Sequence, residues 1–243
     1  MILQIYSRTD KGKVRQINED AFAAGELTNG MCWAIVCDGM GGQKCGEIAS
    51  ATAVKVISDY ILSSYRVGMS ANSIKTMLNS AVSQANIKIY DMSINSEDMN
   101  GMGTTVVATL IVDGVAYIAH AGDSRLYYVR NGALTQVTRD HSMVQKMVEK
   151  GQITANEAKF HPRKNIITRA LGVNEDVEIE YDEIDVLDND VLLLCTDGLT
   201  NFVDVNTIED VVNSTPLNQI ADKLIDLANE SGGGDNITAV VIS

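Results

Sequence analysis

Short apolar runs bounded by Gly, Asp or Asn recur along the chain and predict β-strands. These runs are rich in Val and Ile, and they cover residues 2–7, 32–37, 105–112, 115–119, 126–130, 191–195 and 237–242. Asp113 and Gly114 separate two of the runs and are typical of a tight hairpin turn. Such short connections favour antiparallel pairing between consecutive strands.

Two longer segments have the spacing of amphipathic helices, with apolar or small side chains every third or fourth residue over 48–61 and 74–89. A third helix is predicted to begin at Thr215 as its cap, with Pro216 in its first position, and to end at Gly232. Residues 142–159 predict one further helix, which is more polar. The two long helices are consecutive and do not alternate with strands, so the pattern favours a layered α+β sandwich.

The chain has 243 residues, with 19 basic and 32 acidic side chains and a formal net charge of −13. Such an acidic protein should bind neither nucleic acid nor anionic membrane surfaces. Cys32, Cys37, Cys45 and Cys195 form no CxxC pair, so we expect buried thiols in a reducing compartment. No signal-peptide pattern, membrane-spanning stretch or linker is found, and we expect one cytoplasmic domain over residues 1–243.

Aspartates lie at the ends of four apolar strands, each with a glycine adjacent or one step away. Asp38 and Asp197 directly follow strands, Asp123 follows one through Gly122, and Asp235 lies between a glycine run and the last strand. A carboxylate at the edge of an apolar core is costly unless it is paired. Any single one could be an ordinary turn residue, but four at strand ends predict a shared cation site. Oxygen ligands alone favour Mg²⁺ or Mn²⁺ over zinc or copper.

A second polar cluster precedes a short apolar stretch at residues 21–24. It contains Arg15, Glu19 and Asp20, and the planar guanidinium of arginine suits a phosphoryl group. Taken alone, the cluster is more simply interpreted as an exposed charged turn. It gains weight only from the aspartates elsewhere in the chain.

Together these residues form an ordered set of motifs. The set comprises Arg15-x-x-Asn18-Glu19-Asp20, Asp38-Gly39-Met40-Gly41-Gly42, Gly103-Thr104-Thr105, Gly122-Asp123-Ser124-Arg125, Asp140-His141-Ser142, Arg169-Ala170-Leu171-Gly172, Asp197-Gly198 and Gly234-Asp235-Asn236-x-Thr238. Each motif is weak alone, but the whole set in this order resembles the PPM family, the metal-dependent Ser/Thr protein phosphatases of type 2C. The resemblance extends from about residue 8 to the end, and the compact length and Met40 resemble its bacterial branch.

The resemblance implies an α+β fold of four α/β/β/α layers, in which helix pairs cover two antiparallel sheets, with a small flap at about residues 142–165. It implies two ions, Mn²⁺ or Mg²⁺, and a weaker third. Asp38 would bridge the first two ions, the Gly39 carbonyl would join the second, and Asp197 and Asp235 would complete the first. The remaining implied ligands are Glu19 and Asp20 near the second ion, partly through water, and Asp123 with Asp197 at the third.

The implied reaction is the hydrolysis of phosphoserine and phosphothreonine in proteins by a water activated between two metal ions, without a covalent phosphoenzyme. Asp38, Asp197 and Asp235 would be catalytic, and Arg15 would bind the phosphoryl oxygens. Many relatives, mainly eukaryotic, have a histidine where this chain has Met40, which cannot donate a proton, so the general acid is unassigned. The implied partners are phosphorylated proteins and an opposing eukaryotic-type Ser/Thr kinase, and a monomer is expected.

Two other functions are compatible with the same motifs. A catalytically inactive relative that senses phosphoproteins would be expected to lack a metal aspartate, yet Asp38, Asp197 and Asp235 are all present. A hydrolase of small phosphates or nucleotides stays open, because a metal centre says little about what carries the phosphate. No P-loop or glycine-rich nucleotide motif supports that alternative.

Overall fold

The computed structural model describes residues 3–27, 30–41 and 45–243. Residues 1 and 2, where the first predicted strand begins, and Gly42 of the second motif lie outside this part. The strands are β1 (Ile5–Asp10), β2 (Asp20–Glu26), β3 (Cys32–Met40), β4 (Gly103–Thr104), β5 (Val106–Val112), β6 (Val115–Ala121), β7 (Arg125–Arg130), β8 (Ala133–Gln136), β9 (Glu180–Asp185), β10 (Val191–Cys195) and β11 (Ile237–Ile242). The helices are α1 (Cys45–Ser64), α2 (Ala71–Ile94), α3 (Met143–Glu149), α4 (Ala155–Phe160), α5 (Asp197–Thr200), α6 (Val205–Ser214) and α7 (Leu217–Glu230).

The strands form two antiparallel sheets. The first sheet has the order β1-β11-β10-β7-β8. The second has the order β2-β3-β5-β6-β9, and the two-residue strand β4 pairs with β3. The predicted antiparallel pairing is confirmed, and the Asp113-Gly114 turn has both residues at positive φ, 49° and 77°. Two consecutive left-handed residues are what a tight hairpin turn requires.

Three apolar layers hold the sandwich together. One lies between the second sheet and helices α1 and α2, another between the first sheet and helices α6 and α7, and the third between the two sheets. Strand β3 shows why its sequence is continuously apolar: Trp33 and Ile35 face the helices, whereas Ala34 and Val36 face the other sheet. Burial on both faces removes the alternation of a half-exposed strand. The four-layer α/β/β/α fold is therefore confirmed.

The sequence pattern missed three edge strands, β2, β8 and β9, besides the short β4 and helices α5 and α6. The single helix predicted for residues 142–159 is wrong, because two short helices occupy this segment. Gly151 lies between them with a φ of 65°, and Thr154 caps the second. Thr215 is also not the cap of α7: it ends α6, and Pro216 precedes the first residue of α7.

The four cysteines confirm the expectation of buried thiols. Within the part of the chain that the structure describes, no helix has both the length and the apolar character needed to cross a bilayer.

Candidate active site

The ends of strands from both sheets meet at one edge of the sandwich. Asp38 lies near the end of β3, and Asp20, at the start of β2, is its cross-strand neighbour. Asp123 follows β6, Asp197 begins the short helix after β10, and Asp235 lies two residues before β11. The two sheets therefore bring together carboxylates that are far apart in the sequence.

Backbone and hydroxyl contacts fix Asp38. Its N–H donates to Oγ1 of Thr105 over 2.9 Å, and its carbonyl accepts from the N–H of Thr105 and from Oγ1 of Thr104, each at 2.9 Å. Oγ1 of Thr105 lies 2.7 Å from Oγ of Ser124. The three contacts that Asp38 itself makes here all involve its main chain, so they place the residue without neutralising its carboxylate.

Three backbone segments pack closely together around Gly39. A Cβ at this position would lie 2.1 Å from the carbonyl oxygen of Gly46 and 2.5 Å from that of Glu19. The Gly39 N–H donates to the Glu19 carbonyl over 3.0 Å, and Ser50 Oγ donates to the same oxygen over 2.6 Å. Only glycine fits here, and the contact holds Glu19 beside the residue that follows Asp38.

Asp20 is buried between the sheets and does not itself line the cleft, although its cross-strand neighbour Asp38 does. Its Oδ2 accepts from the hydroxyls of Thr196, at 2.9 Å, and Thr238, at 2.7 Å, both at strand ends of the first sheet. Its Oδ1 has no hydrogen-bond partner among the described residues. Burial, outweighing those two hydrogen bonds, raises the pKa of Asp20 to about 7.

Two asparagines organise Asp197 and Asp235. Asn201 Nδ2 donates to Oδ2 of Asp197 over 2.8 Å, one helical turn away. Asn236 donates its N–H to Oδ1 of Asp235 over 2.9 Å, and its own Oδ1 accepts from the N–H of Glu19 over 2.7 Å. Asn236 thus ties the start of β11 to the segment before β2.

The predicted phosphate ligand, Arg15, lies at the rim of this cluster. Its Nη2 is 2.9 Å from Asp235, and its Nη1 is 3.8 Å from Oε2 of Glu19. A second cation near the aspartates, Arg125, makes a two-pronged ion pair with Asp140, at 2.8 and 2.7 Å. Arg125 is therefore occupied elsewhere, and the cluster keeps an excess of negative charge.

The aspartates raise one another's pKa. Burial is the largest cause at Asp38, Asp123 and Asp197, and repulsion from neighbouring carboxylates adds to it in each case. Burial also raises the pKa of Glu19. Carboxyl groups whose charge is disfavoured both by desolvation and by like neighbours are typical of functional sites.

A cleft of about 220 Å³ opens onto these residues. Of the predicted site residues, it is lined by Arg15, Glu19, Asp38, Gly39, Asp123, Asp197 and Asp235. A larger cavity, of about 480 Å³, shares Asp123 and Asp197 with it and continues beneath helices α3 and α4. Its other walls include Val148 and Phe202 as well as Lys164.

Sequence reasoning missed two of the neutral groups behind the carboxylates. Thr196 and Asn201 received no role, although each contacts an acid of the cluster directly. The spacing of Asn201, four residues after Asp197, is a signal that could have found it, because side chains at i and i+4 are neighbours on a helix. Thr196 has no such local signal, since its partner Asp20 is distant in sequence.

Comparison with known proteins identifies the family. The model of the family described as protein phosphatase 2C matches residues 9–240. The chain belongs to this family. Among its relatives, a serine/threonine phosphatase stp of Listeria welshimeri is 40% identical over 236 residues, which cover 97% of this chain and 93% of the relative.

Solved structures of protein phosphatase 2C relatives share the whole fold. The crystal structure of the Mycobacterium tuberculosis serine/threonine phosphatase PstP/Ppp matches with a TM-score of 0.91 at 35% identity, over 100% of this chain and 99% of the other. The catalytic domain of PstP, solved in complex with two manganese ions, matches with a TM-score of 0.88 at 34% identity, over 99% and 97% of the two chains. The chain is accordingly a metal-dependent Ser/Thr protein phosphatase, and its substrates are phosphoproteins.

Proposed function

We propose that this phosphatase removes phosphate from serine and threonine side chains with two divalent ions held by the aspartate cluster. The observation that carries the proposal is the convergence of Asp38, Asp197 and Asp235 in one cleft with raised pKa at the first two. Arg15 is the one cation among the described residues that line this cleft. Cations bound there would offset the repulsion that the chain itself leaves uncompensated.

The donor set fits hard divalent ions. The groups that face the cleft offer carboxylate and carbonyl oxygens, which suit Mg²⁺ or Mn²⁺. Asp38 would bridge the two ions, with the Gly39 carbonyl on one of them and Asp197 and Asp235 on the other. A shared role for Asp38 is consistent with its surroundings, because Asp20, Asp197, Asp123 and Asp235 are all close enough to raise its pKa.

Three further acids would act less directly. Glu19, which lines the cleft, and Asp20, which lies behind it, would support the second ion, partly through water. The partnerless Oδ1 of Asp20 is an acceptor available for such a water. Asp123, with Asp197, would hold a weaker third ion.

When bound, the ions would lower the pKa of a water molecule and stabilise charge on the phosphoryl group. Arg15 would bind the phosphoryl oxygens once a metal ion competes for Asp235.

A covalent cysteine intermediate is disfavoured, because burial raises the pKa of Cys32 and Cys195 to about 12 and leaves them as thiols. Met40 lines the cleft but cannot donate a proton to the leaving alkoxide.

The larger cavity favours a polypeptide over a small phosphate. It begins at Asp123 and Asp197 and has apolar as well as charged walls, so residues that flank a phosphothreonine could occupy it.

We further propose that residues 1–243 form one phosphatase domain with a flap at about 142–165. The protein would act in the cytoplasm as a monomer, opposite a eukaryotic-type Ser/Thr kinase with shared targets.

Phosphate release from a phosphothreonine peptide and from a nucleotide, each with Mn²⁺, tests the proposal. Asp38→Ala and Asp197→Ala should each lower kcat on the peptide by about 100-fold or more, because each would remove a ligand of the ions that stabilise the transition state. Asp59→Ala, on the exposed face of α1, is the control and should leave kcat unchanged. Equal or faster release from the nucleotide would contradict a protein substrate.

A further inference from the structure

His141 connects the loop that carries Asp123 to the base of the flap. Its Nδ1 accepts a hydrogen bond from the N–H of Gly122 over 3.0 Å, and its own N–H donates to the Gly122 carbonyl over 2.8 Å. The side chain and the main chain of His141 therefore bind the N–H and the carbonyl of Gly122, the residue that precedes Asp123. Gly122 has a φ of 119°, so this turn is one that few other residues adopt.

The same residue holds the other end of the flap. The His141 carbonyl accepts from the N–H of Thr168 over 2.7 Å, and Met143 N–H donates to the Ile166 carbonyl over 2.8 Å. The chain that leaves for helices α3 and α4 and the chain that returns from them are thus joined at His141. His141 thus gives a displacement at the flap base a direct hydrogen-bonded route to Gly122.

Glu180, on strand β9, sets the tautomer of the ring. His141 Nε2 lies 2.8 Å from Oε2 of Glu180. Because the Gly122 N–H can only donate, Nδ1 carries the lone pair, and the proton of the neutral ring is on Nε2, where the Glu180 carboxylate accepts it. Arg169 Nη1, 2.9 Å from Nε2, then finds no acceptor on the ring and contributes only its charge. Burial lowers the pKa of His141, which keeps the ring neutral and its Nδ1 available as an acceptor.

The neighbouring His120 supports the ring and does not complete a metal site. The two imidazoles stack with centroids 4.7 Å apart and planes at 5°, which restrains rotation of His141. Nitrogen lone pairs in parallel stacked rings do not converge on one ion. Nη1 of Arg169 also lies 2.9 Å from His141 Nε2, so a positive charge already occupies the place where a cation would bind.

We infer that His141 is a positioning residue for Asp123, which it orients through Gly122 and couples to the flap base and Glu180. This inference rests on the proposed function, because it takes Asp123 as a ligand of the weakest ion. Among the described residues, His141 does not line the cleft and makes no hydrogen bond to a cleft carboxylate, so its effect should be confined to the ion at Asp123 and should spare the ions at Asp38.

Two substitutions separate the roles of the two ring nitrogens. His141→Asn keeps an acceptor at the position of Nδ1, whereas His141→Gln moves the polar group to the position of Nε2 and leaves the Gly122 N–H without a partner. His161→Gln is a matched control, because His161 Nδ1 also accepts a backbone N–H, from Arg163 at 3.1 Å, within the flap segment. Glu180→Gln, which keeps an acceptor for Nε2–H, gives a fourth protein if His141→Gln does not fold.

Amide hydrogen exchange at Gly122 in the metal-free protein and Mn²⁺ binding by calorimetry are the readouts. His141→Gln should speed Gly122 exchange about tenfold and weaken the weakest Mn²⁺ class about three- to tenfold, as loss of one hydrogen bond implies. His141→Asn, Glu180→Gln and His161→Gln should stay within about twofold of the wild type. Equal weakening of every Mn²⁺ class, or no rescue by asparagine, would overturn the inference.

A double-mutant cycle decides whether the effect passes through Asp123. Asp123→Asn should remove the weakest Mn²⁺ class, and adding His141→Gln to it should then leave the remaining affinities unchanged. A further loss in the double mutant would show a general structural role. A wild-type protein that binds no Mn²⁺ would contradict the proposed function, whereas a wild type that binds while His141→Gln does not alter binding would contradict only this inference.

Discussion

Neutral hydrogen-bond donors fix the acidic residues of the site. Thr105 contacts the main chain of Asp38, Asn201 contacts the carboxylate of Asp197, and the backbone of Asn236 contacts Asp235. Such donors orient a carboxylate but add no positive charge. Apart from the ion pairs that Arg15 makes with Asp235 and Glu19, the negative charge of the cluster therefore stays available for cations.

Arg15 has a role that a single substitution can test. Arg15→Ala should chiefly raise the KM for a phosphothreonine peptide, because a charge-assisted hydrogen bond worth about 1.5–3 kcal/mol is lost, or about 10- to 150-fold in kcat/KM. Arg8→Ala, which breaks surface ion pairs with Asp222 and Asp226, is the control and should leave KM unchanged. Steady-state kinetics on both variants measures the effect, and an unaltered KM in Arg15→Ala would remove this residue from phosphate binding.

The sequence could predict the aspartates because each stands where an apolar run begins or ends. It could not assign the hydroxyls of Thr196 and Thr238 to Asp20, because that contact joins residues brought together only by the packing of the two sheets. The same holds for Glu180, whose contact with His141 depends on β9 lying at the edge of its sheet. Local pattern thus predicts the charged groups, whereas tertiary contacts select their neutral partners.

At the scale of elements, the site depends on how closely α5 meets the start of β11. A Cβ on Gly198 would lie 1.8 Å from the carbonyl oxygen of Asn236. That carbonyl belongs to the backbone and cannot move as a side-chain tip would. Asp197 directly precedes Gly198, and Asp235 directly precedes Asn236. The close approach therefore brings the two aspartates into the same cleft.

Gly198→Ala should destabilise the protein and separate these two elements. We expect a loss of about 3 kcal/mol or more in the free energy of unfolding, at the upper end of overpacking penalties, together with weaker Mn²⁺ binding. Gly68→Ala is the control: Gly68 has a φ of 84° and open space around it, so only backbone strain of about 1–2 kcal/mol is added. Urea unfolding and calorimetry would measure both variants, and equal losses would show that the close contact is unimportant.

Apart from the two-residue β4, the strands that sequence patterns missed are edge strands. Strands β2 and β9 are the two edges of the second sheet, and β8 is an edge of the first. Strand β9, with the sequence EYDEID, carries charged residues that a central strand could not bury. Edge strands are commonly charged, which limits pairing with other chains, and this same feature hides them from apolar patterns. The central strands were predictable because both of their faces are buried.

At the scale of the whole molecule, the fold places like charges together at one edge of the sandwich. The apolar layers hold the strand ends in place, so the carboxylates cannot move apart. The cost of this arrangement should depend on pH and on bound cations.

The pKa of Asp20 determines whether the stability of the metal-free protein rises or falls with pH. That pKa is about 7 in the folded state against an ordinary value of 3.8. The folded state therefore holds the proton more tightly, and the stability that Asp20 contributes is complete below about pH 4 and is lost as the pH rises through about 7. With chelator present, Asp20→Asn should flatten the fall in Tm between these pH values. The surface variant Asp59→Asn should keep the wild-type slope, and an unchanged slope in Asp20→Asn would contradict the assignment.

The central claim is that acids from both sheets hold divalent ions that the reaction requires. Phosphate release from a phosphothreonine peptide, measured in chelator and then during a Mn²⁺ titration, tests it most directly. We predict no release above background in chelator and a return of the full rate as Mn²⁺ is added, with no such return in Asp38→Ala. Full activity in excess chelator, or an Asp38→Ala variant that responds to Mn²⁺ as the wild type does, would contradict the account.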